Sequence, residues 1–418
     1  MLRPFFVSRR AMDARVIIVM TAVALLSYAL LYTSDAIQSR SQAFLCAALI
    51  AAAFFIRGLM LDCRTSDFLT FLNDWVAFFA RHGGLAGLSF SVGNYNIPYL
   101  YYLAVFSGST IDDLYLIKIL SICFDVILAW SGMRLAGLFV KSPGRRLACF
   151  FGILFLPTVV INGALWGQCD SIYTAFAVLG LYLGLSRRPW GSVICIALSF
   201  AFKLQAVFVM PVYALLLMSG RIKPKHLLAF PAAYIVSVLP AVIAGRPFWD
   251  TLTLYFNQAS SVGEGLNYNS SSIFSLISSS DTELWSGLAV GWSFLFVLAV
   301  LYAAFRRRGR LGKRACFAAA VLFAVSIPFL LPHMHDRYFF CADVLTLILA
   351  VVSPEAFAMP ILVQFGSLLG YYAYLNMRYL MPMSVGGIAV LAAAVMAGLY
   401  YNRALGPVRR REKIAEMQ

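Results

Sequence analysis

Apolar residues run through this chain in long unbroken stretches, and short polar segments separate them. A helix needs about 20 predominantly apolar residues to cross about 30 Å of hydrocarbon. Stretches of that order stand near Val16–Thr33, Ala43–Leu61, Leu114–Val140, Leu147–Ala164, Ile172–Leu185, Leu227–Ala244, Ser286–Phe305, Ala315–Leu331, Tyr338–Val352, Ala358–Tyr374 and Val385–Tyr401. Two more pieces, Ile97–Phe106 and Trp190–Met218, are harder to count. The second is too long for one span and too short for two, which predicts a pair of short helices meeting near Lys203. The expected fold class is all-α, a polytopic transmembrane helical bundle of about 11–14 spans.

Composition agrees. Of 418 residues, 61% are hydrophobic and 12% charged, about half the charge of a soluble domain. The net charge of +15 does not point to nucleic acid, because the bases sit in loops between apolar stretches. Lys141, Arg145 and Arg146 form one group; Arg221, Lys223 and Lys225 form another. Arg306 to Arg314 hold no acid, and Arg403 to Lys413 make a basic tail. Lys and Arg gather in this way on cytoplasmic loops. Arg3, Arg9, Arg10 and Arg15 before an apolar run imitate a signal peptide, but Thr33-Ser34-Asp35 lacks the small-residue cleavage pattern. An uncleaved first span is expected. Eight cysteines show no metal-like pairing; Cys63 and Cys169 lie in candidate external loops, either paired or as free thiols.

Two connections are long enough to hold chemistry, Asp62–Asn96 and Gly245–Trp285. Irregular backbone at membrane depth survives only under cover of protein or water, so the two are expected to pack together as a structured cap. The side of the first loop depends on Ile97–Phe106. If that piece crosses, the Asp67 loop shares the basic face; if it only dips in, the loop lies opposite and so does the basic N-terminus.

Charges beside a span are functional candidates. In DFLTFLNDW, Asp67 and Asp74 are seven apart, which on a helix puts them on one face, among aromatics that suit an interfacial helix. YNIPYLYY (Tyr95–Tyr102) reads as an aromatic belt entering a helix at Pro98. WGQCDS (Trp166–Ser171) offers a ring face, an amide, a carboxylate and a hydroxyl, a set suited to a sugar; Asp170 could equally cap the next helix. Lys203, inside an apolar stretch, either snorkels or meets a lipid phosphate. In PHMHDRYFF, Arg337 presents a planar fork matched to phosphate; His333 and His335 lack the ligand set that would complete a metal shell. Asn267 and Asn269, in LNYNSSSIFSLI, form a hydrogen-bonding platform.

Taken in order, these stretches resemble the GT-C membrane glycosyltransferases that take sugar from a polyprenyl-phosphate carrier, with a likeness to bacterial mannosyltransferases and to dolichyl-phosphate glucosyl- and mannosyltransferases. The matching features are Asp67 followed by Trp75, then Tyr95 and Pro98, WGQCDS, FKLQ, LNYNSSSIF and PHMHDRY. They cover residues 43–345, a GT-C-like catalytic transmembrane module. Residues 1–42 would be an extra N-terminal helix with a basic leader, and 346–418 further helices and a basic cytoplasmic tail.

The resemblance implies an external first loop with Asp67 as general base, and a carrier phosphate held by Arg337, His335, His333 and Lys203. It also implies sugar or acceptor contacts from Trp166, Gln168, Asp170, Tyr95, Asn267 and Asn269. The implied partners are a polyprenyl-phosphate-linked hexose donor, a glycan, glycolipid or protein acceptor, and membrane lipids. The implied place is a bacterial plasma membrane, with inversion at the sugar. No DxD pair stands in the first loop, so no metal or other cofactor is expected. The chain departs from the family in reading FKLQ where Lys-Pro-Gln is common, and in its extra first helix. A transporter or lipid flippase is the rival from another class; it would usually show related halves around a midplane site, and no repeat is evident. A polymerase joining lipid-linked oligomers is a further rival.

Overall fold

A computed structural model describes residues 6–7, 13–255, 263 and 265–406. Arg3, Arg9 and Arg10 of the leader, and the tail from 407 on, lie outside the described residues. The fold is an all-α bundle. Among the described residues, eight helices are long and apolar enough to cross a membrane: Ala14–Tyr32 (α1), Arg40–Gly58 (α2), Asp113–Ala136 (α5), Pro224–Ile243, Thr282–Phe305 (α13), Lys313–Leu330 (α14), Pro354–Asn376 and Met383–Leu405 (α17). A ninth is reached if Pro143–Leu154 (α6) and Pro157–Trp166, bent by 46°, count as one span. Ile97–Phe106 (α4), Asp170–Leu185 (α8), Pro189–Phe202 (α9) and Phe340–Val352 (α15) are shorter. The sequence count of about 11–14 is reached only when these short helices are included.

Local sequence sets the boundaries. Ser39, Asp112, Ser142 and Asp281 each accept a backbone N–H of the turn that follows, supplying partners that helix ends lack. The Trp190–Met218 stretch breaks where expected. α9 ends at Phe202, Lys203 is extended, and a short turn leads to Val212–Met218. α5 and α14 form the middle of the bundle, whereas α1 and α13 are mostly open on their outer sides.

Side-chain contacts define the two ends. Arg146 donates to the Ser34 carbonyl (2.9 Å) and Arg145 to the carbonyls of Val351 and Val352; Ser353 meets Tyr400 (2.6 Å) and Arg307 donates to Asn402 (3.4 Å), so the basic loops at 141–146 and 306–314 lie at one end. At the other end Arg64 pairs with Asp112 (2.5 Å), and Arg15 bonds Thr110 (2.6 Å). Arg64 and Asp112 lie on either side of α4 in sequence, so α4, at ten residues and about 15 Å, enters the bundle without crossing. The Asp67 loop therefore sits at the end opposite the basic loops, and the start of α1 sits there with it.

The two long connections meet as expected. Arg246 donates to the Phe90 carbonyl (3.1 Å) and to Ser91 (3.2 Å). The helical spacing of Asp67 and Asp74 does not hold. Phe68–Leu72 is a π-turn leading into Asn73–Arg81 (α3), which changes the angular phase, and Asp67 is buried while Asp74 is exposed. Cys63 and Cys169 are both buried free thiols.

Candidate active site

Asp67 stands where the chain leaves a two-stranded patch, Phe6–Val7 (β1) against Cys63–Arg64 (β2), and enters the π-turn. Lys118 of α5, fully buried, holds the approach to it. Its ammonium donates to the carbonyls of Met60 (2.9 Å), Leu61 (2.9 Å) and Cys63 (2.7 Å), which follow the end of α2.

Opposite Asp67, a second π-turn, Ile161–Trp166, ends at Gly167, whose φ of 77° lets the chain turn sharply into α8. The turn presents Trp166 and Gln168 to Asp67. Trp166 Nε1 donates to Oδ2 at 2.9 Å and Gln168 Nε2 to the same oxygen at 2.7 Å. Tyr374, near the end of Ala358–Asn376 (α16), donates to Oδ1. Tyr95 donates to Gln168 Oε1 (3.0 Å), which fixes the amide's orientation; burial pushes the Tyr95 phenol well up, so it stays a donor. A carboxylate has about four lone-pair positions. Among the described residues three are filled, and one on Oδ1 remains.

Asp170 begins α8. The cap position belongs to Cys169, and the Asp170 side chain makes no cap bond. Its carboxylate instead takes Asn162 (2.9 Å) and Lys203 (2.5 Å). Lys203 is thus buried in an ion pair and does not snorkel.

Arg337 lies between the two acids. Its guanidinium stands 5.3 Å from the Trp166 ring centroid, and that ring stacks on Tyr374. Its nitrogens are 3.7 Å from Asp67, 3.6 Å from Asp170 and 3.7 Å from Asp336. All three exceed hydrogen-bond length. The guanidinium is surrounded by charge yet not consumed by it.

The other sequence candidates fall into two groups. His335 borders the cluster, stacked on Tyr268 with centroids 4.7 Å apart. Burial, helped by Arg337 and Lys203, lowers it to about 4, so at neutral pH it is uncharged and offers one N–H at most. His333 is engaged elsewhere, with Nδ1 at 2.7 Å from the Gly265 carbonyl and Nε2 at 2.6 Å from Ser286. Asn267 closes its own turn onto Ser270, and Asn269 accepts from Tyr379 (2.8 Å). These two serve the loop that runs beside Met334–His335 (β4) as the short parallel strand Asn267–Tyr268 (β3), and their side chains do not join the cluster.

Sequence reasoning missed Tyr374, Asn162, Lys118 and the place of Asp336. Asp336 carried a signal, an acid beside Arg337 in a span-end motif. Tyr374, in the YYAY run, reads as an interfacial aromatic, and nothing in its spacing marks it.

An all-α bundle with buried acids and cations joined beneath one end is the plan of a polytopic membrane enzyme. The model of glycosyltransferase family 87 matches residues 95–332, more than half of the chain, and the chain belongs to this family of membrane glycosyltransferases. No curated protein and no solved structure matches it. The matched span contains Tyr95, Trp166, Gln168, Asp170 and Lys203, and lies between Asp67 and Arg337.

Proposed function

We propose that the protein transfers a hexose, mannose or glucose, from a polyprenyl-phosphate carrier to a hydroxyl of a glycan, lipid or protein, with a GT-C-type inverting mechanism. In this reading the acceptor hydroxyl attacks the anomeric carbon and its proton goes to the open position on Asp67 Oδ1. The bond from that carbon to the phosphate oxygen breaks, and the electron pair leaves with the phosphate. Attack and departure on opposite faces of the sugar give inversion. Arg337 and Lys203 oppose the negative charge that grows on the leaving phosphate, and Trp166 and Gln168 hold the base in line.

The observation that carries this reading is the union in one buried cluster of a carboxylate with a free acceptor position and a guanidinium with unfilled donors. The spans expose large apolar residues that suit an isoprenoid. The basic loops occupy the opposite end, and Lys and Arg face the cytoplasm; the site then faces outward, in a bacterial plasma membrane. The charge on the phosphate is assigned to Arg337 and Lys203 and not to a metal, so turnover is expected to survive EDTA.

The test is incubation of purified protein with labelled polyprenyl-phosphate mannose and glucose, and with nucleotide sugars, in membrane extract. Label should move from a lipid donor. Transfer from nucleotide sugars only would overturn the donor assignment.

A further inference from the structure

Three carboxylates surround two cations in this cluster, and they are not equivalent. Asp67 has three fixed donors, and Asp170 has Asn162 and Lys203. Asp336 is as deeply buried, 2% exposed, yet its Oδ1 finds no hydrogen-bond donor among the described residues. Its one ion pair among the described residues is the 3.7 Å contact with Arg337. An anion entering the cluster has to draw Arg337 toward itself, and Asp336 is the carboxylate that loses its partner when that happens. An ionised carboxylate left buried and unpaired is costly. The cheap outcome is for Asp336 to take up a proton.

We propose that Asp336 is a proton-linked gate on binding of the anionic donor: ionised, it holds Arg337 and repels phosphate; protonated, it releases Arg337 to the phosphate. This rests on the lipid-phosphate donor proposed above and adds what controls its entry. With Asp336 ionised, the cluster carries three negative charges against two positive, and with it neutral the charges balance. Burial raises the Asp336 carboxyl to about 7, against the pull of Arg337, so the switch falls in the physiological range.

The other groups facing it are Asp67 from the first loop, Asp170 from α8, Lys203 from the α9 break, and the phenols of Tyr371 and Tyr374 from α16. Tyr338 and the uncharged His335 are its neighbours in its own loop. The sign follows from the raised value. Below about 7 Asp336 is neutral and donor binds; above it the competent fraction falls. Apparent affinity then weakens about tenfold between about pH 6 and about pH 8.

The test uses the full-length protein and farnesyl phosphate as probe, with farnesol as the uncharged control, comparing wild type with Asp336→Asn at each pH. The probe's own second ionisation, near 6, is common to both proteins and cancels in their ratio. The expected result is that the variant binds about tenfold more tightly than wild type at about pH 8 and equally at about pH 6. Asp336→Ser removes the same charge and serves if the Asn variant does not fold. A wild-type-to-variant ratio that stays constant with pH, while both bind the phosphate in preference to farnesol, overturns the gate and leaves the donor assignment standing. If neither protein binds farnesyl phosphate above farnesol at any pH, the donor assignment falls and the gate with it.

Discussion

Two arginines inside this bundle, Arg57 fully buried and Arg337 partly exposed, have opposite surroundings. Arg57 of α2 is fully buried, and each of its three nitrogens donates a hydrogen bond. Nε and Nη2 reach Asp125 Oδ2 at 3.1 and 2.9 Å, Nη2 also donates to the Leu154 carbonyl, and Nη1 to that of Ala53. Asp125 is completed by Ser171 at 2.5 Å. Arg337 faces three carboxylates and is bonded to none of them within 3.5 Å. The first arrangement is a closed structural pair tying α2, α5, α6 and α8 together. The second keeps donors open and can accept a ligand without breaking the fold. The two meet at the start of α8, where Asp170 belongs to the site and Ser171 to the scaffold. A buried charge pair is therefore not by itself a sign of function; unfilled valence is.

The largest expected effect falls on the site. Asp67→Asn should leave the protein folded and lower transfer by at least about a hundredfold, since a positioned base typically supplies 10² to 10⁴. Single-turnover kinetics with the labelled lipid donor would measure it, and near-normal turnover would remove Asp67 from the chemistry.

The next falls on the scaffold. Arg57→Ala strands Asp125 and should cost about 3–5 kcal/mol, seen as a lowered thermal midpoint in detergent. A double change to Arg57→Met and Asp125→Leu should recover most of that, because apolar replacement of a buried pair is often neutral. Failure of the double change to recover would mean that the pair does more than hold the helices.

A smaller effect is expected at the edge of the site. His333 braces the Gly265 carbonyl and Ser286, so His333→Gln should cost about 1–2 kcal/mol of stability without changing donor affinity. A selective loss of donor binding would return His333 to the phosphate site.

Much of this was legible in the sequence. The long apolar runs gave the helices because a membrane span must be continuous in sequence. The break at Lys203 showed because charge and apolar length conflict there. Asp67, Trp166, Gln168, Asp170 and Arg337 stood out as polar groups at span ends. What did not show is what three-dimensional packing adds. The π-turns at Phe68–Leu72 and Ile161–Trp166 leave the apolar pattern intact while shifting the angular phase, so Asp67 and Asp74 part company. Tyr374 reaches Asp67 across 307 positions of chain, a distance over which periodicity carries no information. His333 and Arg337 share one motif but have different work, because a left-handed backbone at His333, φ 60°, precedes the pairing of Met334–His335 with Asn267–Tyr268.

The contrast between the two arginines is tested most directly by making one conservative change at each, Arg57→Lys and Arg337→Lys, and measuring both the thermal midpoint and the apparent KM for the lipid donor. Lysine keeps the charge but cannot copy the guanidinium fork. At position 57 the midpoint should fall while the donor KM of the folded fraction stays normal. At position 337 the midpoint should hold while the donor KM rises about tenfold, one bidentate contact being worth about 1.4 kcal/mol or more. If Arg337→Lys lowers the midpoint and leaves the donor KM unchanged, Arg337 is a structural anchor and the cluster is not the donor site.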